Sequence, residues 1–457
     1  MDSKESQPET IGKNLSNSIT TSEALVRLHN TRQLSTHKRL FQSMRVGSLR
    51  SVVIMWIRIC SGIGLLTLPY YCKQFGLIEG AIVIAAAACL NYLPAKDIFQ
   101  AVSDSGKTKY PELIEHYFGR KMRRIFDFSY TIDMFSQILL LQVACYNCLQ
   151  YIMYMTKITD GHPEWFSNIE RLEFNEYNRD ILIIRTVFIV TVTLLLVPFF
   201  LKDNLRDYKT ITYTYLTLLF LLVAFLVGQA PFFVQNLPPS KRTVQFFKPF
   251  KMENISNFGG IMLSFYVQPY VFSLYEELVE PNLRRLFKIA KIATFFEFVG
   301  LSTIALIGYY SLGDEYTPYV FFLRTPYEGV NMIVEWCFRI TVILFFFSMI
   351  VGIPMYNPSL KTQIYDLLMI DYPTNSQKRY VSLIPLFIAS LLSILYPHVT
   401  SIFNIVATTV CNLNGYLLPT AMKLKREVQN GNVHFSSCLL MSFYIVFGVL
   451  GMISLFN

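Results

Sequence analysis

Charged residues are scarce in this chain. Asp, Glu, Lys and Arg make up 16% of its 457 residues while 53% are hydrophobic, and the mean hydropathy is +0.39. Soluble domains carry about 25% charge, so an ordinary soluble globular protein is excluded. The six histidines offer no metal-ligand spacing. The sequence has no P-loop, no Gly-rich dinucleotide fold and no Ser/His/Asp cluster in a polar segment, so nothing points to an enzyme. None of the eight cysteines sits mid-loop, which argues against a disulfide framework. Cys145 and Cys148 read as small packing residues on one helix face. No apolar h-region precedes the first long run, so no cleavable secretory signal is expected.

What the chain has in quantity is apolar runs of spanning length. Eleven are expected, at 51–72, 77–99, 126–155, 181–201, 211–235, 256–279, 287–312, 330–357, 380–396, 398–421 and 434–456. The eighth should continue past Pro354 and Pro358 after a kink, because proline removes a backbone bond and clashes with the preceding turn. Residues 1–50 form a polar, Ser/Thr-rich tail expected to be disordered, and 51–457 form the membrane domain. With the N-terminus inside, 28 Lys and Arg fall on inner segments and 9 on outer ones, the asymmetry of a cytoplasmic N-terminus. The net charge of +9 is therefore a property of cytoplasmic loops and not a nucleic-acid surface. Both the plasma membrane and a vacuolar or other organellar membrane fit this pattern.

Two of the runs carry breakers in their middle. The segment 56–76 contains Ser61-Gly62-Ile63-Gly64 and then Pro69. Each interior glycine costs about 1 kcal/mol relative to alanine. The backbone groups so freed need partners at membrane depth, because unpaired they would cost several kcal/mol apiece. The sixth run has Gly259-Gly260, Ser264-Phe265-Tyr266 and Pro269. It lies five runs after the first. An odd displacement inverts topology, so runs 1–5 and 6–10 can form inverted repeats with the eleventh added. Paired broken helices at matching positions of two halves point to a transporter site. Close helix packing through small residues is the alternative.

Three motifs then carry a family resemblance. Gly62-Ile63-Gly64-Leu65-Leu66, followed by Leu68-Pro69, Phe75-Gly76 and Gly80, resembles the first-helix signature of the amino acid/auxin permease family. Phe265, Gln268-Pro269, Leu274-Tyr275-Glu276-Glu277-Leu278, Pro281 and Arg284-Arg285 are similar to its sixth-helix region, and Pro354-Met355-Tyr356-Asn357-Pro358 with Lys361 to the end of its eighth helix. The resemblance implies an all-α polytopic membrane protein of the LeuT-type fold. It has a 5+5 inverted repeat with helices one and six broken, plus one extra helix. It implies transport of amino acids by alternating access, with spans 1, 2, 6 and 7 rocking against 3, 4, 5, 8, 9 and 10. It implies no cofactor beyond a coupling ion, H⁺ or Na⁺, and as partners the amino acid and the lipid bilayer, with no nucleic acid and with protein partners left open. A transporter fold kept as a nutrient sensor, or as a structural subunit of a membrane complex, is the alternative.

In that frame the backbones of Ser61, Gly62, Ile63 and Gly64, and of Ser264, Phe265 and Tyr266, are the candidates to bind the constant part of an amino acid. Tyr266 and Phe265 are also candidate walls of a side-chain pocket, with ordinary packing as the alternative. Arg58 stands one turn before the first break. By resemblance this turn helps form a sodium site in sodium-coupled relatives, together with hydroxyls of the eighth helix, for which Ser348 is a candidate. A guanidinium there would replace the ion; alternatively Arg58 snorkels to the inner surface. Asp133 and Glu297 are intramembrane carboxyls without an evident local partner, each either a proton relay or a structural hydrogen bond. Arg185 is expected to snorkel, Glu335 and Arg339 to pair at i,i+4, and Asn404, Asn412 and Asn414 to join helices. The sequon at Asn254 lies close to the sixth run.

Overall fold

The computed structural model describes residues 48–60, 64–155, 179–201, 209–236, 243–279, 281–316, 332–370, 372–396 and 398–455. Among them there is no strand. The helices are α1 (Leu49–Cys60), α2 (Gly64–Phe75), α3 (Leu77–Ser105), α4 (Tyr110–Phe118), α5 (Arg120–Met155), α6 (Arg179–Phe200), α7 (Lys209–Asn236) and α8 (Glu253–Leu263). They continue with α9 (Val271–Glu277), α10 (Leu283–Tyr316), α11 (Met332–Gly352), α12 (Asn357–Leu368), α13 (Asn375–Leu395), α14 (Val399–Val406), α15 (Leu418–Gln429) and α16 (Phe435–Ser454). A π-helical stretch, Ala407–Leu417, joins α14 to α15. Among the described residues, seven helices are long and apolar enough to cross a membrane: α3, α5, α6, α7, α10, α13 and α16.

Local sequence explains the main interruptions. α3 starts after Gly76, at φ 93°, and stops at Gly106, at φ 68°, whose N–H bonds back to the Val102 carbonyl. Thr374 and Gln377 close a reciprocal capping box at the start of α13. Pro354 cannot donate to α11, so that helix passes into a 3₁₀ turn, Ile353–Tyr356, and Pro358 sits in the first turn of α12. The expected kink is this turn.

The helices pack in two groups. α10 lies on α1, α2 and α3, and α8 lies on α2 and α3; α5 packs against α11, α12, α13 and α14. The lipid-facing sides stay apolar and exposed, as at Val187, Leu194 and Leu195 of α6. Glu335 and Arg339 pair at 3.5 Å. Arg185 corrects an expectation. It does not snorkel; only 2% of it is exposed, and its guanidinium carbon lies 5.3 Å from the centre of the Tyr146 ring. The aromatic face holds the cation inside the bundle. Asn254 is buried within α8, so the sequon asparagine is not presented to solvent.

Candidate functional site

In the first run α1 is described to Cys60 and α2 from Gly64. Ser61, Gly62 and Ile63 lie outside the described residues. Gly64 presses against the second break. A Cβ added to it would fall 2.7 Å from the Ser264 Cα, so only glycine allows this approach. Across the same contact, the Cys60 thiol faces the Phe265 carbonyl at 3.6 Å.

The second broken helix is described throughout, and its backbone can be accounted for. α8 ends at Leu263, the 3₁₀ turn Gln268–Tyr270 follows, and α9 begins at Val271. The N–H groups of Phe265 and Tyr266 bond three residues back, to Met262 and Leu263. The Val267 N–H donates to the Gln268 side chain at 3.0 Å. The Gln268 amide donates to the Asn91 carbonyl on α3, and the Asn91 amide donates to the Met262 carbonyl, each at 3.1 Å. The Tyr416 hydroxyl, in the π-helical stretch, reaches Asn91 Oδ1 at 2.6 Å. The Tyr130 hydroxyl on α5 donates to the Pro269 carbonyl at 2.6 Å. Side chains of three neighbouring elements thus supply partners that the membrane cannot.

Tyr266 leaves the break toward α5, where its hydroxyl donates to Asp133 Oδ2 at 2.5 Å. The Cys411 thiol meets Asp133 Oδ1 at 3.3 Å. Asp133 is fully buried and belongs to the break through Tyr266. Glu297, on α10, is also buried and faces Cys60 and Trp56 near the C-terminal end of α1, with Oε1 unpartnered.

Arg58 does not snorkel. It is 4% exposed, its guanidinium carbon lies 3.5 Å from the Tyr215 ring centre, and it approaches the Tyr356 hydroxyl. Gly352, at the end of α11, leaves the space for its guanidinium. Among the described residues no carboxylate pairs with it. Tyrosine faces and hydroxyls hold it where a longer reach to the surface was the alternative. Arg58 therefore sits between α1, α7 and the α11 end. Ser348 lies within α11, and its side chain is outside the described residues.

A row of cavities runs from the breaks to one face. The central one, about 20 Å³, lies between Cys60, Gly64, Gln137, Tyr266, Tyr270 and Tyr356. Tyr270 and Tyr356 meet edge to face at 5.8 Å and separate it from a second cavity of about 40 Å³ that contains Arg58. A third, of about 210 Å³, opens beyond Ser273 and Ser359, with Glu276 and Asp366 at its wall. On the opposite side Tyr71 bonds Asn404 at 3.0 Å, and Asn404 bonds Asn257 at 3.4 Å, tying α2, α14 and α8 together.

The structure thus brings Gly64, Ser264, Phe265 and Tyr266 together, with Asp133 behind Tyr266. Glu297 and Arg58 lie on two other sides. Phe265 is buried and does not line the central cavity, though its carbonyl faces Cys60. Sequence reasoning missed Asn91, Gln137, Tyr130, Tyr416 and the side-chain role of Gln268. The signal for Asn91 and Gln137 was an amide inside an apolar run.

The family model described as transmembrane amino acid transporter protein matches residues 45–457. A Plasmodium berghei (strain Anka) protein named "Putative amino acid transporter AAT1" is 22% identical over 345 residues, covering 73% of this chain and 51% of that protein. A protein of the same name from Plasmodium falciparum (isolate 3D7) is 21% identical over 320 residues, covering 68% and 47%. The chain spans about half the length of these curated relatives.

Proposed function

Because the chain belongs to the transmembrane amino acid transporter family, and is with its seven apolar helices a multi-pass membrane protein, we propose that it is a secondary active transporter. It moves amino acids across a membrane by alternating access around the two breaks. The observation that carries this is the break at residues 264–270, seated against Gly64 with a cavity between them. A helix interruption at membrane depth beside a cavity is where half-helix ends meet and a transporter of this kind holds its solute. The cavity row leads to one face, while the Tyr71–Asn404–Asn257 chain closes the other. This asymmetry supports a conformer with one gate shut.

The eleven-span, LeuT-type arrangement fits the same elements. Seven continuous helices, the broken pairs α1–α2 and α8–α9, then α11 and the α14–α15 segment make eleven, with the breaks five spans apart. The positive-inside asymmetry supports a cytoplasmic N-terminus. On that orientation the cavity row faces the cytoplasm.

Coupling is to H⁺, or absent, and not to Na⁺. The support is Arg58, a buried cation in the turn before the first break, next to the end of α11. A second cation beside it would meet repulsion in a medium of low dielectric. Asp133 and Glu297 are the carboxyls placed to carry a proton, and neither has a described Lys, Arg or His in hydrogen-bonding contact.

Uptake into proteoliposomes tests the proposal, with a panel of labelled amino acids and with sodium and pH gradients imposed separately. Saturable uptake that persists when choline replaces sodium is expected. Strict sodium dependence removes the coupling proposal. No uptake of any amino acid by folded protein removes transport in favour of a sensor or structural subunit.

A further inference from the structure

We propose that the groove between α3, α8 and α16 is a binding site for a sterol, seated with its hydroxyl at the starts of α3 and α8. The groove is separate from the breaks, and the proposal does not rest on transport. Its volume is about 660 Å³, where ~10–15 Å³ is enough to hold one water. Phe75, Ile82, Phe250, Phe258, Phe443 and Phe447 form most of its wall. α3 and α16 are both of membrane-spanning length and apolarity, and Ile82 and Phe250 are well exposed at the mouth. The groove therefore opens onto hydrocarbon, which has no water to fill it. Along α16 its wall runs from Leu439 to Leu450. At ~1.5 Å per residue that is about 16 Å, roughly half of the ~30 Å hydrocarbon core. That length suits a molecule occupying one leaflet.

Two of its polar groups gather at one end. Glu79 is in the first turn of α3 and Asn254 in the first turn of α8. The segment 243–252 leads into α8 and is tied to the start of α3, where the Leu77 and Ile78 N–H groups donate to the Gln245 and Phe246 carbonyls at 2.9 and 3.0 Å. Asn254 is 3% exposed and lines the groove, and its side-chain amide makes no hydrogen bond among the described residues. A buried amide normally has a partner. Glu79 Oε2 accepts the Lys248 N–H at 3.4 Å, and its other oxygen has no described donor. A carboxylate only accepts, whereas an amide both donates and accepts. A hydroxyl suits this pair, because it donates to the carboxylate and accepts from the amide.

This end separates the possible occupants. A phospholipid brings a phosphate, which the Glu79 carboxylate repels. A helix of a second copy brings apolar side chains, which leave the Asn254 amide unpaired. A sterol brings one hydroxyl on a flat, rigid hydrocarbon body. The walls suit that body. The Phe443 and Phe447 rings lie within 9° of parallel, and Phe258 stands at 84° to Phe447. Ring faces and edges offer broad apolar contact, and a rigid ligand loses little conformational freedom on binding.

Photo-crosslinking of the purified full chain in phosphatidylcholine vesicles tests this, with a diazirine-bearing cholesterol as the probe. Label should map to peptides containing Asn254–Phe258 and Leu439–Phe447, and excess unlabelled cholesterol should suppress it. Asn254→Leu keeps the volume and removes the partner of the hydroxyl, so cholesterol affinity should fall about tenfold. Val446→Trp is a change on an exposed position of the groove wall, where folding is little at risk. It should fill the groove and abolish the label there. Label unmoved by both variants overturns the placement of the site. Labelling of the same peptides by a diazirine-bearing phosphatidylcholine that cholesterol does not displace assigns the groove to phospholipid and overturns the proposal. No cholesterol label in the groove overturns it too, and a crosslink from α16 to α16 of a second copy then assigns the face to a dimer.

Discussion

The two breaks face each other but are held by different means. The first is defined by space: Gly64 lets α2 touch the Ser264 backbone, and Gly352 leaves room for Arg58 beside the preceding turn. The second is defined by hydrogen bonds: Gln268, Asn91, Tyr416 and Tyr130 supply its backbone partners, and Asp133 fixes Tyr266. The difference teaches which half is tied down. The sixth-helix break is joined to α3, α5 and the π-helical stretch, so opening the site on that side must exchange several bonds at once. Among the described residues, the first run meets the second break through the Gly64 contact and the bond from the Cys60 thiol to the Phe265 carbonyl.

The largest effect should come from crowding the first break. Gly64→Val places branched carbons against the Ser264 backbone. Overpacking costs about 1–3 kcal/mol, and here it forces the breaks apart, so uptake should fall below detection while membrane expression persists. Normal uptake by this variant would mean that the contact is absent in the working cycle. Next, Gln268→Leu should strip the partner from the Val267 N–H and leave Asn91 exposed to an apolar neighbour. Each buried group left unsatisfied costs about 1–3 kcal/mol, and thermal unfolding in detergent should drop by several degrees. An unmoved transition would show that water already serves this break.

Asp133→Asn keeps an acceptor for Tyr266 and removes the titratable proton. Uptake should lose its response to an imposed pH gradient while exchange of bound substrate continues. If the gradient response is intact, Glu297 is left as the coupling carboxyl, and Glu297→Gln becomes the decisive variant. Arg58→Met should affect ion selectivity more than fold, since the thioether retains contact with Tyr215. Appearance of sodium-stimulated uptake would fit a cation-replacing arginine; a protein that fails to fold would assign it to packing alone.

The smallest effect should come from the surface at α4, away from both breaks. Glu115, on α4, is held below the usual carboxylate range by its hydrogen bond from Arg123, at 2.5 Å. A carboxyl lowered on folding contributes stability above its unfolded value, and that contribution fades as pH falls through the lowered folded value. Between pH 5 and 8 it is therefore constant, and Glu115→Gln should leave uptake and its pH profile unchanged. A shifted profile would place the pH sensor at the surface instead of at Asp133.

Much of the plan was legible in the chain because backbone chemistry is local. Gly62 and Gly64 before Pro69, and Ser264 to Pro269, mark interruptions wherever they occur. Pro354 and Pro358 mark the turn after α11 for the same reason. What was not legible were the partners. Asp133 and Tyr266 are 133 residues apart, Asn91 and Gln268 are 177 apart, and no periodicity connects either pair.

The sequence by itself determined that the chain lies in a membrane and where its apolar runs carry helix breakers. Those follow from apolar run length and from glycine and proline, which act on their own residue. Only the tertiary structure decided which charges are inside and what they touch. Arg58 and Arg185 carry the same side chain that snorkels elsewhere, and both are buried on tyrosine rings here. Burial of a charge depends on aromatic faces and hydroxyls from distant helices converging on it, which the residue's own neighbours in the chain do not specify.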